Sequence, residues 1–428
     1  MADLVVNGGV PISGHLTPSG NKNAILPMLC ATLLTDEEVT LSNAPEISDV
    51  EKILAFYREL GSEVHWDKQA EVMRIKHDAA AMSTRSPMLP VAIRSAVLLL
   101  APLAQRQGYL KFDTEAKGCA LGIRELDPHF NVLMAFGCTV SPTQPREITL
   151  DKRPSAADIW ADYASVTATE SFLMMAVLAD GRSTLNNAAS EPHVQEFCHM
   201  LNAMGARISG VGTSYLTVDG VEKLGGTSFR APDDHHEVAT FLAIGGVSGG
   251  RVTIKTDVVK YMPLILRQYT KLGLNISVDG DEITVDGWNR TVEPPLSSEV
   301  IPKIEAAPWP YYPADLLPQA IGIAVGCTSE VMFWNKVYEG ALGWSGELAK
   351  FGARVSQSDP HRLVVFGNSK LRPAVVEAPY IIRVVLGLFI AAIQIKGESV
   401  IRHADPIRRA HPNFVEKLQA MGADVRWT

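Results

Sequence analysis

The sequence predicts an α/β protein built from six similar units, and three observations carry that prediction. A short pattern recurs along the chain: a large apolar residue, Gly, two residues, then a β-branched residue. Each recurrence is accompanied by a second helical stretch that is apolar nearly all round. Each such stretch runs into a turn and a short strand in which apolar and polar residues alternate.

The first pattern is read at Leu60-Gly61-Ser62-Glu63-Val64, Phe136-Gly137-Cys138-Thr139-Val140 and Met204-Gly205-Ala206-Arg207-Ile208. It continues at Leu272-Gly273-Leu274-Asn275-Ile276, Phe351-Gly352-Ala353-Arg354-Val355 and Met421-Gly422-Ala423-Asp424-Val425. The glycines are 76, 68, 68, 79 and 70 residues apart. The physical reading is a helix C-terminus, where Gly takes a left-handed turn and the β-branched residue starts a strand. The apolar helices are expected at Ala24–Leu34, Ala92–Ala104, Val166–Ala179, Val238–Ile244, Leu316–Val325 and Ile381–Ile395. A helix without a polar face belongs in a core. The strands that follow include Glu38–Ser42 and Arg251–Lys255.

Units of roughly 70 residues are marginal on their own, so a grouping of three plus three into two similar domains is expected. A length of 428 residues fits two or three domains. A cleft between two domains is where ligands are expected.

Composition narrows the function. With 46% apolar and 20% charged residues the chain is globular. Lys plus Arg number 39 against 47 Asp plus Glu, a net charge of −8, which argues against nucleic-acid binding. A local cationic pocket for an anionic small molecule is still allowed. The cysteines Cys30, Cys119, Cys138, Cys198 and Cys327 are odd in number and form no C-x-x-C, so neither a disulfide scaffold nor a zinc site is expected. The N-terminus lacks the basic and apolar regions of a signal peptide. The apolar run Tyr380–Ile395 contains Arg383 and is shorter than the ~20 residues of a membrane span. These features lead to the expectation of a cytoplasmic protein with no membrane partner.

Several residues are candidates for chemistry. In Ser19-Gly20-Asn21-Lys22-Asn23, the side chains of Lys22 and Asn23 stand at a helix N-terminus, where an anion is favoured; an ordinary polar cap is the other reading. Lys117-Gly118-Cys119-Ala120-Leu121-Gly122-Ile123-Arg124 places a thiol between glycines and cations, which suits acid–base or thiolate chemistry but also an unimportant exposed thiol. The other four cysteines lie in apolar runs or beside helix-end glycines and are read as structural. Arg94 and Arg383 each interrupt an apolar helix, and two such cations at comparable places suggest a shared anion-facing role. Arg408-Arg409 adds a pair that suits either a ligand or a solvated face. Among the acids Glu191, Asp234, Glu237 and Asp315, the last follows Pro308-Trp309-Pro310-Tyr311-Tyr312-Pro313-Ala314 and reads as a helix cap or a general base. His235-His236 are adjacent, so their side chains are expected on different faces, and no metal is expected there.

The six units, the Ser19–Asn23 segment, the Gly118-Cys119…Gly122-x-Arg124 loop and the Asp315 turn together resemble the enolpyruvyl transferases over essentially the whole chain. The resemblance implies two inside-out α/β barrels, each of three βαβαββ units, with residues 1–21 plus 232–428 in one domain and 22–231 in the other. It implies transfer of the enolpyruvyl group of phosphoenolpyruvate to the 3-hydroxyl of UDP-N-acetylglucosamine, with release of phosphate, by addition and elimination and without metal or organic cofactor. By position, Lys22, Arg94, Arg124 and Arg409 hold the phosphate and carboxylate of phosphoenolpyruvate. Cys119 acts as the acid and as the target of the epoxide fosfomycin, and Asp315 as the base. Asn23, Asp127, Tyr163, Ser165, Val166, Thr167 and Glu191 serve the sugar nucleotide, and Lys336 and Arg383 lie on the same cleft. The implied partners are small molecules, with a monomer or weak homo-oligomer.

The chain departs from the family pattern where Tyr163 replaces a lysine, Thr167 a glycine, Glu125 a proline after Arg124, and Lys336 an arginine. The segment Pro232-Asp233-Asp234-His235-His236-Glu237 carries one extra residue before the acidic position. These changes gather at the nucleotide end, so a different nucleotide or nucleoside acceptor is the alternative. A silent UDP-sugar binder is a third reading, against which stands the joint retention of Lys22, Arg94, Cys119, Arg124, Asp315 and Arg409. A shikimate 3-phosphate acceptor is disfavoured, because that branch does not use the Cys119 loop.

Overall fold

The computed structural model describes residues 2–83, 89, 94–112, 125–296 and 299–428. Cys119 and Arg124 lie outside the described residues, as does the side chain of Arg94. The fold is mixed α/β and divides into two compact units. One takes in Met1–Ser19 and Asp233–Thr428; the other is built from the described residues between Gly20 and Pro232.

The glycine pattern does what its chemistry requires. Gly61, Gly137, Gly205, Gly273, Gly352 and Gly422 all have φ between +85° and +103°. At the first, the N–H of Gly61 donates to the Arg58 carbonyl at 3.0 Å and that of Ser62 to the Tyr57 carbonyl at 2.9 Å. This pair of bonds satisfies carbonyls that the helix Ser48–Glu59 leaves open at its end. The strand Glu63–Asp67 starts immediately afterwards. Equivalent bond pairs close the turns at Gly137, Gly205, Gly352 and Gly422. Before Gly352 the preceding element is the 3-10 helix Gly343–Ala349 rather than an α-helix.

In the unit containing both chain termini, the described residues form three four-stranded sheets of one design: a strand, a buried helix, a strand parallel to the first, and an antiparallel pair. Lys303–Ala306 runs parallel to Val331–Asn335, with the helix Leu317–Ala324 between them in sequence. Val375–Glu377 runs parallel to Gly397–Arg402, with Ile382–Ile393 between them. The third sheet pairs Gly14–Leu16 with Arg251–Lys255. Its helix, His235–Val247, is separated from its first strand by the whole of the other unit. The N-terminal strand Leu4–Gly8 lies between Gly397–Arg402 and Asp424–Trp427, so the start of the chain completes the last sheet.

The other unit repeats the design. Thr227–Arg230 pairs in parallel with Val39–Ser42, and Asp158–Trp160 with Arg182–Asn186. A third sheet there has three described strands, Tyr109–Phe112, Thr139–Val140 and Arg146–Thr149.

The helices expected to be core are buried along most of their described length; Ala92–Ala104 lies partly outside the described residues and its described part begins as the 3-10 helix Arg94–Leu99. All thirteen residues of His235–Val247 are buried, as are all eight of Leu317–Ala324. Leu317–Ala324 and Ile382–Ile393 cross at two glycines. A Cβ on Gly322 would meet the Gly387 carbonyl oxygen at 2.5 Å, and one on Gly387 the Pro318 carbonyl oxygen at 2.6 Å. Glycine is thus required for the two backbones to pack this closely. Among the described residues no helix is long and apolar enough to cross a membrane.

Candidate functional site

The unit between Gly20 and Pro232 carries the Lys22 segment together with Asp127, Tyr163, Ser165, Val166, Thr167 and Glu191. Asn21 caps the helix Lys22–Thr32: its Oδ1 accepts from the Ala24 N–H at 3.0 Å. Capping is therefore done by Asn21, which leaves Lys22 and Asn23 on the first turn without that duty. Lys22 Nζ lies 2.5 Å from Asp49 Oδ2. Asp49 belongs to the first turn of Ser48–Glu59, and the sequence reading did not single it out.

An open pocket lies in the same unit beside Pro128, Trp160, Asp162, Tyr163 and Ser165. Trp160 and Tyr163 are the exposed aromatics of this site, 75% and 53% open to solvent. Ser165 caps the helix Val166–Ala176, accepting from the Ala168 N–H. Asp127 opens the helix Asp127–Ala135. Thr167 Oγ1 lies 3.0 Å from Nε2 of the buried His129, whose Nδ1 lies 3.0 Å from Ser171 Oγ. The side chain that replaces a family glycine is thus tied back into the protein.

Glu191 stands at the N-cap of Pro192–Ala203 without making a side-chain cap bond. Close to it, burial and then the Glu191 charge push the Glu170 carboxyl well above the usual range. Glu170 is 1% exposed. It was missed in sequence because a single acid in an apolar helix reads as a helix former.

The unit carrying the termini holds Asp315, Lys336, Arg383 and Arg409. Asp315 lies in the 3-10 helix Ala314–Leu316 ahead of Leu317–Ala324, whose cap makes no side-chain bond. The cap reading of Asp315 is therefore not what the structure shows. Arg383 is the second residue of Ile382–Ile393, and its Nε lies 3.5 Å from Asp315 Oδ2. Both line an open pocket together with Asn335 and Tyr338. The cation in the apolar helix thus meets a carboxylate across an open space. Lys336 does not line that cavity; its Nζ pairs with Glu305 at 2.5 Å and sits 4.2 Å from the centre of the Trp334 ring. Arg408 and Arg409 end the 3-10 helix Asp405–Arg409 and part company. Arg408 is exposed and stacks on Trp427 at 4.2 Å, whereas Arg409 is half-buried.

Behind Arg383 lies a buried polar network. Its Nη1 is 3.0 Å from His411 Nε2. Lys417 Nζ donates to Ser19 Oγ at 2.7 Å and to Glu237 Oε1 at 2.8 Å, and the Ser19 N–H donates to Glu237 Oε2 at 2.5 Å. Burial raises the Glu237 carboxyl, and the Lys417 ammonium opposes that rise. Asp234 caps His235–Val247 by accepting from the His236 N–H at 2.9 Å.

The histidine pair corrects the sequence reading. The rings of His235 and His236 lie 4.0 Å apart, and ligating atoms of Asp234, His235 and His236 all fall within 4.8 Å of one another. Adjacent positions at a helix start are about 100° apart, and long planar side chains can still converge from there. His236 Nδ1 lies 3.2 Å from the same Asp234 oxygen that accepts the His236 N–H, so the carboxylate is already engaged in capping.

The four cysteines read as structural are all buried and free. Burial pushes the Cys138 thiol up to about 11 and those of Cys198 and Cys327 to about 12. The Cys30 thiol is likewise pushed well above the usual thiol range, by burial first and then by Glu170.

The chain matches the family model for EPSP synthase (3-phosphoshikimate 1-carboxyvinyltransferase) over residues 6–418. It is 36% identical over 426 residues to a UDP-N-acetylglucosamine 1-carboxyvinyltransferase of Borreliella burgdorferi, covering 100% of this chain and 99% of the relative. It is 37% identical to the protein of the same name in Treponema denticola, with 99% of each chain covered. Among solved structures it resembles the enolpyruvyl transferase NikO from Streptomyces tendae, with a TM-score of 0.85, 22% identity, and coverage of 100% and 99% of the two chains. It also resembles an EPSP synthase from Acinetobacter baumannii, with a TM-score of 0.76, 15% identity and full coverage of both chains.

Proposed function

The chain belongs to the EPSP synthase family of enolpyruvyl transferases, and from that premise we propose that it moves the enolpyruvyl group of phosphoenolpyruvate to the 3-hydroxyl of UDP-N-acetylglucosamine, releasing phosphate. The observation that carries the acceptor is the full-length identity of about 36% to relatives named for that reaction. The finer architecture we propose is that each unit is an inside-out barrel of three βαβαββ repeats.

The chemistry follows from the donor set. Phosphoenolpyruvate carries a phosphate and a carboxylate, two anionic groups that call for several cations, and Lys22, Arg94, Arg124 and Arg409 are assigned to them. Asp315 takes the proton of the acceptor hydroxyl, and that oxygen bonds to C2 of phosphoenolpyruvate. Cys119 gives a proton to C3, so a tetrahedral ketal forms with no net charge left on carbon. The Cys119 thiolate then takes a proton back from C3, which restores the double bond as the C2–O bond to phosphate breaks, and the proton held by Asp315 leaves with the phosphate. Arg383, 3.5 Å from Asp315, sets a positive charge beside the carboxylate assigned as base. Asn23, Ser165, Val166, Thr167 and Glu191 support the nucleotide, with Asp127 and Tyr163 at its edge and Lys336 as an outer cation.

A second acceptor is favoured by one specific feature: Tyr163 lines the cavity where the family carries a lysine. Phosphate release from phosphoenolpyruvate, measured with UDP-N-acetylglucosamine and separately with UMP, uridine and shikimate 3-phosphate, tests both readings. Release with UDP-N-acetylglucosamine alone, with the enolpyruvyl product seen by mass spectrometry, supports the first. Release only with another member of the panel supports the second, and release with none would overturn both.

A further inference from the structure

Arg383 is the cation beside Asp315, so whatever orients Arg383 also governs how that carboxylate is presented. Arg383 Nη1 lies 3.0 Å from Nε2 of His411. A guanidinium has five N–H donors and no acceptor. His411 must therefore offer a lone pair at Nε2, which makes the ring neutral with its proton on Nδ1. The ring is 1% exposed and lies 6.4 Å, centre to centre, from Phe414, so water does not compete for the lone pair. The groups around it keep it neutral. Burial, then Arg383, His236 and Lys417, disfavour a proton; Asp234 alone favours one; the outcome is a pKa of about 3.

The other edge of the same guanidinium faces Asp315. At 3.5 Å the Nε–Oδ2 contact is longer than a full hydrogen bond, so this guanidinium steadies Asp315 mainly by charge. An unrestrained Arg side chain samples many rotamers, and the contact to His411 removes that freedom at the tip.

We propose that His411 is a positioning residue: its Nε2 lone pair holds the Arg383 guanidinium so that Asp315 is presented to the acceptor hydroxyl. The inference rests on the reading of Asp315 as the base. It also accounts for the buried histidine that follows Asp405–Arg409 by two residues.

Two measurements test it, one of which does not need activity. In the full chain, nitrogen-15 histidine spectra, with His411 assigned by its loss in His411→Gln, should show the Nδ1–H tautomer, uncharged down to pH 5. An Nε2–H tautomer or a charged ring at pH 6 overturns the proposal whatever the enzyme's substrate. Kinetics supply the second test, using whichever acceptor supports turnover. His411→Leu, which has no acceptor, should lose roughly 10- to 100-fold in kcat, with the acid limb of its pH profile moved upward and KM for phosphoenolpyruvate little changed. His411→Gln, whose Oε1 can accept from Arg383, should recover to within about threefold of the parent. Equal kcat and pH profile in His411→Leu and the parent, or equal losses in both variants, would overturn the positioning role. An inactive parent with the expected tautomer would instead count against the acceptor reading while leaving His411 as the holder of Arg383.

Discussion

Lys22 and Asp49 form an ion pair 2.5 Å long in which 15% and 6% of the side chains are exposed. A cation on the first turn of a helix meets the unfavourable end of the macrodipole, and Asp49 offsets that cost. The pair also fixes a long side chain that otherwise samples many rotamers, so Lys22 is set in place before a ligand arrives.

Asp49→Asn should therefore damage both stability and binding. Removing one partner of a fully buried pair costs ~3–5 kcal/mol; here Lys22 retains some access to water, so a loss of about 1–3 kcal/mol is expected in urea unfolding. KM for phosphoenolpyruvate should rise severalfold as the ammonium loses its tether. An unchanged unfolding midpoint together with an unchanged KM would mean that the pair holds nothing in place.

Thiol labelling gives a sharper result. Cys30, Cys138, Cys198 and Cys327 are buried, with thiols raised by burial. The thiolate is the reactive species. Iodoacetamide at pH 7.5 should modify Cys119 alone, and fosfomycin with a nucleotide sugar present should add to the same residue. Cys119→Ser should abolish both adducts in intact-mass spectra. A persistent fosfomycin adduct on Cys119→Ser would assign the chemistry to another residue.

What could be read from the sequence was what depends on near neighbours. The six glycines were legible because a left-handed helix end is a local backbone requirement, met within five residues. The core helices were legible because apolar residues occupy every face. Asp49 was not, since its partner Lys22 is 27 positions away and nothing in Ser48–Glu59 marks one acid among several. His411 was missed for the same reason: its meaning comes from Arg383 on another helix. Lys336 shows the converse case. Its position matches a family cation, yet Glu305 on the neighbouring strand holds it outside the Asp315 cavity.

Acid sensitivity follows from a second buried histidine. His77 Nε2 lies 2.8 Å from Thr32 Oγ1 and its Nδ1 2.7 Å from Ser62 Oγ. Burial, and then the Arg106 charge, lower its pKa to about 3. The unfolded chain, with an ordinary value of about 6.5, binds the proton more readily than the folded one. Stability therefore falls as pH drops from about 6.5 toward 3, by ~2 kcal/mol at pH 5 for each such histidine. His411, lowered likewise, adds to the effect. In urea titrations, His77→Gln should be less stable than the parent at pH 7.5 but should lose less on going to pH 5. Parallel pH slopes for the two proteins would refute the assignment.

The last prediction concerns Trp160 and Tyr163, which flank the open pocket beside Ser165. Large aromatic faces left open to solvent beside a cavity offer stacking surfaces, and stacking a base on an aromatic side chain contributes ~1–3 kcal/mol. A ligand held by stacking gains the same energy in its ground and transition states, so losing the aromatic should raise KM and leave kcat nearly alone. Trp160→Ala is expected to raise KM for UDP-N-acetylglucosamine by about 5- to 100-fold, and Trp160→Phe to restore most of the loss. UDP alone should quench the tryptophan emission of the parent and quench Trp160→Phe less. Tyr163→Lys, which returns the family residue, separates the two acceptor readings. If this cavity serves UDP-N-acetylglucosamine, the lysine should be tolerated or lower KM, since an ammonium there can meet the diphosphate. If Tyr163 has re-tuned the cavity for another acceptor, the same change should depress turnover with that acceptor and improve it with UDP-N-acetylglucosamine. A Trp160→Ala variant with the parent's KM would move the base away from this cavity altogether.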